Sequence, residues 1–209
     1  MFCERNCSQT LHDLSTADAS SFPDISPVRV EEAIVSSLSK AINLGGVNCY
    51  LLVAGDGYIL IDTGFAGKRV LLDNSLQNAG CVPGKLKLIV LTHGDSDHAD
   101  NCVRLRNKYG CKIAMHSLDA GMVERGDMSW NRKAKADKYS PLFRLVGLMA
   151  KAFAGGDKFE KFRPDMMIDE SFDLSPCGIW ARILHIPGHS KGFIGLLTEN
   201  RELYCGQPS

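Results

Sequence analysis

Leu88-Ile89-Val90-Leu91-Thr92-His93-Gly94-Asp95-Ser96-Asp97-His98 joins an apolar run to a turn that carries two imidazoles and two carboxylates. The run has the length and branching of a buried strand, and the turn delivers His93, Asp95, Asp97 and His98 together at its end. Packed side by side, such groups repel one another or lose solvation unless a cation joins them. The bland alternative is a polar, solvated turn. Nitrogen and oxygen donors together suit zinc, iron(II) or manganese better than a thiolate-preferring metal.

Downstream, Trp180 to Ile186 reads as a strand that ends in Pro187-Gly188-His189-Ser190, a turn in which proline fixes the backbone and glycine lets it reverse. An imidazole on a turn at a strand end is placed like a functional group, so His189 reads as a metal ligand. His185, alternating within the strand, reads as a supporting or structural residue. Upstream, Val47–Val53 and Tyr58–Asp62 flank the hairpin turn Gly55-Asp56-Gly57. Lys68 to Ala79 has helical spacing at Val70, Leu71, Leu76 and Ala79, and Leu86 to Leu91 is apolar enough to be covered on both faces. A helix over Asn101–Tyr109 and a strand over Lys112–Met115 continue the alternation, which argues for a layered α/β protein. Further strands are expected at Ser171–Leu174, Ile179–Ile186, Phe193–Thr198 and Leu203–Cys205.

Two regions break the rhythm. Residues 1–40 are rich in Ser, Asp and Thr and set Arg5, Arg29 and Lys40 against six acidic residues, so they read as a mostly disordered extension with a short helix near Val30–Lys40. The folded domain is expected over 41–209. Within it, about 120–163 reads as a basic helical insertion: Arg125 to Arg163 holds ten Lys or Arg and four Asp or Glu, and Pro141–Phe153 is amphipathic. That helix either packs on the core, forms a basic lid that attracts an anionic substrate, or lies on a membrane surface.

Across all 209 residues, 24 basic side chains balance 24 acidic ones, so no global field argues for nucleic acid, and no apolar stretch is long enough to span a bilayer. The amino terminus lacks the apolar core of a secretory signal. None of the eight cysteines forms paired C-x-x-C knuckles, and free thiols in a reducing, cytoplasmic setting fit them all. Gly45-Gly46 and Gly155-Gly156 lack the strand-to-helix context of a phosphate loop, His116 reads as a polar strand-end residue, and His12 falls in the extension.

Taken together, Ile61-Asp62-Thr63-Gly64, Thr92-His93-Gly94-Asp95-Ser96-Asp97-His98 and Pro187-Gly188-His189-Ser190 resemble the motifs of the metallo-β-lactamase-fold hydrolases, over about residues 41 to 207. The resemblance implies a four-layer αββα sandwich with metals at one edge of its two sheets and a water nucleophile. It assigns His93, Asp95 and His189 to a first metal site and Asp97 and His98 to a second, with Asp62 supporting the ligand turn and Ser190 and His185 outside direct ligation. Asp95 stands where the family usually has a histidine, and Gln207 where it usually has a bridging aspartate. The chain stops at Ser209, before the closing strand, helix and final histidine of many members, so the fold is expected to be incomplete there, with an unpaired edge favouring homo-oligomers. One firmly held cation is therefore expected, with zinc first (one or two ions) and iron or manganese as alternatives, leaving Asp97 to orient or deprotonate the attacking water. The implied activity is metal-dependent hydrolysis of a small ester, thioester, lactone or phosphoester, an anionic one by the basic segment. The rival is a noncatalytic relative that keeps the fold as a binding or scaffold protein.

Overall fold

The computed structural model describes residues 39–130 and 159–206. A six-stranded sheet runs β1 (Ser39–Asn43), β2 (Asn48–Ala54), β3 (Gly57–Ile61), β4 (Leu86–Leu91), β5 (Lys112–His116) and β6 (Met166–Ile168) in that spatial order. Its first three strands form an antiparallel meander, and β3 through β6 pair in parallel. Strands β7 (Ala181–His185), β8 (Ile194–Thr198) and β9 (Leu203–Cys205) make a second, antiparallel sheet. Among the described residues the α-helices are α1 (Arg69–Asn78), α2 (Ser96–Ala99), α3 (Cys102–Tyr109) and α4 (Ser117–Arg125).

Alternation within the strands builds two cores from one sheet. Leu51, Leu60, Ile89, Leu91, Ile113 and Met115 face a cluster that takes in Leu72 and Leu76 of α1, Leu105 and Tyr109 of α3 and Val123 of α4. The opposite faces, including Leu52, Ile59, Ile61, Leu88, Val90 and Ala114, pack against Ile183, Ile194, Leu196 and Tyr204 of the second sheet. Strands β3 to β5 are thus buried on both sides, which is why their sequences read as apolar runs rather than alternating ones. These layers are helix, sheet and sheet, and the described α-helices all lie on the six-stranded sheet.

Several expectations change. Ser39 and Lys40 belong to β1 rather than to a helix; residues 1–38, the helix expected over Pro141–Phe153 and Gln207 lie outside the described residues. Residues 120–125, at the start of the expected insertion, complete α4, which packs on the core through Ala120 and Val123. Ser171–Leu174 is not a strand: Ser171 and Ser175 donate backbone and hydroxyl hydrogens to Asp169 and Asp173 two residues earlier, local bonds that favour turns over a ladder. The unexpected β6 pairs with β5 instead. In α1 the buried residues are Leu72 and Leu76, one helical turn apart, whereas Val70 is 75% exposed and Leu71 44%. Cys49, Cys102 and Cys111 are buried free thiols, as expected.

The α1 assignment has a direct test. Leu76→Ala should cost about 2–5 kcal/mol of unfolding free energy in urea denaturation, and Val70→Ala no more than about 0.5 kcal/mol. Equal costs would put the wrong face of α1 against the sheet.

Candidate metal centre

The parallel strands β3, β4 and β5 end at the same edge of the large sheet, where Asp62 and Thr92–His98 follow β3 and β4 and His116 closes β5. Strands β7 and β9 run in the same direction as each other and end in the His189 turn and at Gly206. A backbone bond from Ile194 N to Thr92 O, 2.9 Å, fastens the two sheets at this edge.

Asp62 is the most constrained residue here. It is buried and sits at φ 56°, the left-handed region that a non-glycine residue enters only when its surroundings compel it. Its Oδ1 accepts from Thr92 N at 2.9 Å, and its Oδ2 accepts from the Thr92 hydroxyl at 2.8 Å and from His98 Nδ1 at 2.8 Å. This fixes proton positions beyond Asp62 itself. Because the only hydroxyl hydrogen of Thr92 goes to the carboxylate, Thr92 Oγ1 must accept from His93 Nδ1–H at 3.0 Å. The Nε2 lone pair of His93 is then bare, and that atom is buried with no hydrogen-bond partner. Burial holds the His93 imidazole below its ordinary pKa, against the pull of Asp95, so the ring is neutral.

His93 Nε2 faces Asp95 Oδ2 at 3.3 Å, and His189 Nε2 approaches the same oxygen at 2.9 Å. Donor atoms of His93, Asp95 and His189 all lie within 4.8 Å of one another. Two imidazoles and a carboxylate around a buried, unpartnered nitrogen fit a divalent cation, and the set leaves further coordination positions open. Asp97 and His98 form a separate pair, Asp97 Oδ2 lying 3.6 Å from His98 Nε2. Burial depresses the His98 pKa, but the adjacent Asp62 carboxylate and then Asp97 and Asp95 outweigh it and raise the value to about 9. In the cation-free protein His98 is therefore an imidazolium, and a cation would have to expel its proton to bind there.

The other sequence candidates fall around this trio. His185 stacks on His116 with ring centres 4.6 Å apart and donates from Nε2 to Lys191 O at 2.7 Å, so it braces the turn that carries His189. The Ser190 hydroxyl donates to Asp119 and does not face the trio. A side chain on Gly206 would run into Thr92 Oγ1 and come within 3.2 Å of Asp62 Oδ2 and of His93 Cε1, so the end of β9 is packed onto the centre. Sequence reasoning gave no role to Thr92, Asn101 or Asp119. Asn101 donates to the carbonyls of Thr63, Gly64 and Phe65, holding the turn after Asp62. Asp119 had one legible signal, an acidic residue sharing a helix stripe with Met122 and Val123.

Fold and site together define an α/β sandwich with a candidate histidine–aspartate cation site at the shared edge of its sheets. The sequence profile of the metallo-beta-lactamase superfamily matches residues 42–204, and the chain belongs to that superfamily. It is similar to hydroxyacylglutathione hydrolase GloC of Haemophilus influenzae, 28% identical over 119 residues that cover 56% of this chain and 47% of that protein. It is also similar to human metallo-beta-lactamase domain-containing protein 1, 44% identical over 57 residues, 27% of this chain and 21% of the human one. The chain thus spans about half the length, or less, of these two relatives. Among solved structures, BJP-1, a subclass B3 metallo-β-lactamase of Bradyrhizobium japonicum, aligns with a TM-score of 0.60 at 17% identity over 81% of this chain and 58% of that one. Native FEZ-1 metallo-β-lactamase from Legionella gormanii gives 0.59 at 15% identity, over 81% and 59%. At these identities the structural likeness establishes the fold, which is the metallo-β-lactamase fold.

The Asp62 network makes a titration prediction. In chelator-treated protein, the His98 imidazole should titrate near 9 by NMR, and in Asp62→Asn it should fall, because the carboxylate that opposes burial most strongly is then gone. Since the folded value is raised, His98 stabilises the metal-free fold fully below about pH 6.5, and that contribution is lost as pH rises through about 9. A His98 that titrates at its ordinary value in both proteins contradicts the Asp62 contact.

Proposed function

We propose that this chain is a metal-dependent hydrolase that holds one divalent cation on His93, Asp95 and His189 and cleaves a small ester, thioester, lactone or phosphoester. The observation that carries this reading is the buried His93 Nε2, stripped of hydrogen-bond partners and turned toward Asp95 and His189. A histidine–histidine–carboxylate set is found around catalytic zinc and around non-haem iron(II), so zinc comes first, with iron and manganese as alternatives.

A bound cation would supply Lewis acidity and lower the pKa of a water molecule to about 7. The chain's own residues do the rest. Thr92 keeps the proton of His93 on Nδ1, so that Nε2 remains a donor of electrons. Asp95 Oδ2 lies against both imidazoles, which fixes the spacing of the trio. Asp97 stands at the first turn of α2 with its carboxylate partly open, where it can orient a water molecule or accept its proton. The basic residues of the 125–163 stretch favour an anionic substrate. The name of the Haemophilus relative makes hydroxyacylglutathione conjugates the first compounds to try.

Purified without chelators, the full chain should carry about one equivalent of zinc, iron or manganese by elemental analysis, and His189→Ala should lose it. A panel of thioesters, lactones and phosphodiesters, with each metal added, then assigns the reaction. Background metal and no turnover would replace this proposal with the scaffold reading. Asp95→His should raise zinc retention, and unchanged retention would remove Asp95 from the centre.

A further inference from the structure

Helix α4 buries one acid in its apolar stripe. Asp119 is fully buried next to Met122 and Val123. A carboxylate in such surroundings is tolerated only when hydrogen-bonded, and Asp119 finds its partners on the His189 turn. Ser190 Oγ donates to Asp119 Oδ2, and Gly192 N donates to Asp119 Oδ1 at 2.8 Å. The carboxylate therefore grips the chain immediately after His189. The approach is close: a Cβ on Gly192 would lie 2.9 Å from both Cγ and N of Asp119.

The same helix supports the other half of the centre. A Cβ on Gly94, the residue between His93 and Asp95, would lie 2.7 Å from Met122 Cβ and 3.3 Å from Asp119 O. One turn of α4, from Asp119 to Met122, thus touches both ligand-bearing turns. His189 and Asp95 are 94 positions apart in the chain, yet meet at 2.9 Å.

We propose that Asp119 is the positioning residue that sets His189 against Asp95 and His93, acting through Ser190 and Gly192 without touching the cation or the substrate. Its effect on affinity rests on the metal-centre reading, whereas the placement of His189 holds with or without a cation. Without this carboxylate, the Ser190 hydroxyl and the Gly192 amide lose their buried acceptor, and the turn is released on its α4 side. An imidazole held less firmly binds a cation less tightly, by the order of magnitude seen when residues supporting metal ligands are removed.

The experiment uses the full chain and zinc alone, competed against a chromophoric chelator, and records the imidazole NMR signals of His189 in metal-free protein. Asp119→Ala should weaken zinc binding about tenfold or more and shift the His189 signals. Ser190→Ala, which removes one of the two bonds, should do both to a smaller degree. Asp119→Asn keeps an acceptor for Gly192 N and offers an amide to Ser190 Oγ, so it should recover affinity relative to Asp119→Ala. Leu76→Ala, destabilised at a distant core site, should keep wild-type affinity and wild-type His189 signals. Wild-type affinity and signals in Asp119→Ala, or equal losses in Asp119→Ala and Leu76→Ala, would overturn the proposal. If Asp119→Ala fails to fold, Ser190→Ala decides on the same two readouts. If the wild-type protein binds no zinc, the metal-centre reading fails, and the His189 signals alone decide: a shift supports the positioning role, no shift overturns it.

Discussion

A single buried carboxylate, that of Asp62, sets the chemistry of this site. Three hydrogens converge on it, from the Thr92 amide, the Thr92 hydroxyl and His98 Nδ1. Each fixes something that the centre needs: the start of the ligand turn, the tautomer of His93 through the hydroxyl, and the orientation of the His98 ring. Removing the carboxylate would leave these donors buried and unpaired, a cost far above the net worth of any one bond. The left-handed backbone of Asp62 is the local strain that this convergence sustains.

Around that residue, the two sheets act as a frame. Strands β3 and β4 are gripped between the helical core and the inter-sheet core, so the turns at their ends have rigid roots. The second sheet contributes His189 from a turn that would otherwise be free to swing. Contacts that hold that turn include Ile194 N on Thr92 O, His185 on the Lys191 carbonyl, and Asp119 on Ser190 and Gly192. Precision at His189 thus draws on its neighbouring strands β7 and β8 and on Thr92 and α4, which are remote in sequence.

Much of this was legible before any coordinates. The apolar Leu86–Leu91 ends in a turn of four polar donors, and both halves of that pattern follow from local chemistry: burial on two faces for the strand, and a shared cation for the turn. The sequence pattern also singled out His189, because proline and glycine mark its turn. What escaped was whatever depends on tertiary partners. Val70 and Leu71 are apolar yet exposed, because the direction of α1 is set by the core it meets and not by its own modest periodicity. Strand β6 spans only three residues, too few for a period to show, and exists because β5 offers it an edge. Asp119 reads as an ordinary helical acid until the His189 turn arrives beside it. Thr92 looks like a spacer until the demands of Asp62 and His93 on its one hydroxyl are set side by side.

Anomalous diffraction from crystals of the zinc-loaded chain tests the central claim most directly. The expected map has one strong peak within about 2.0–2.2 Å of His93 Nε2, an Asp95 oxygen and a ring nitrogen of His189. A peak bound elsewhere, on cysteine sulfurs or on surface carboxylates, with this trio vacant, would contradict it.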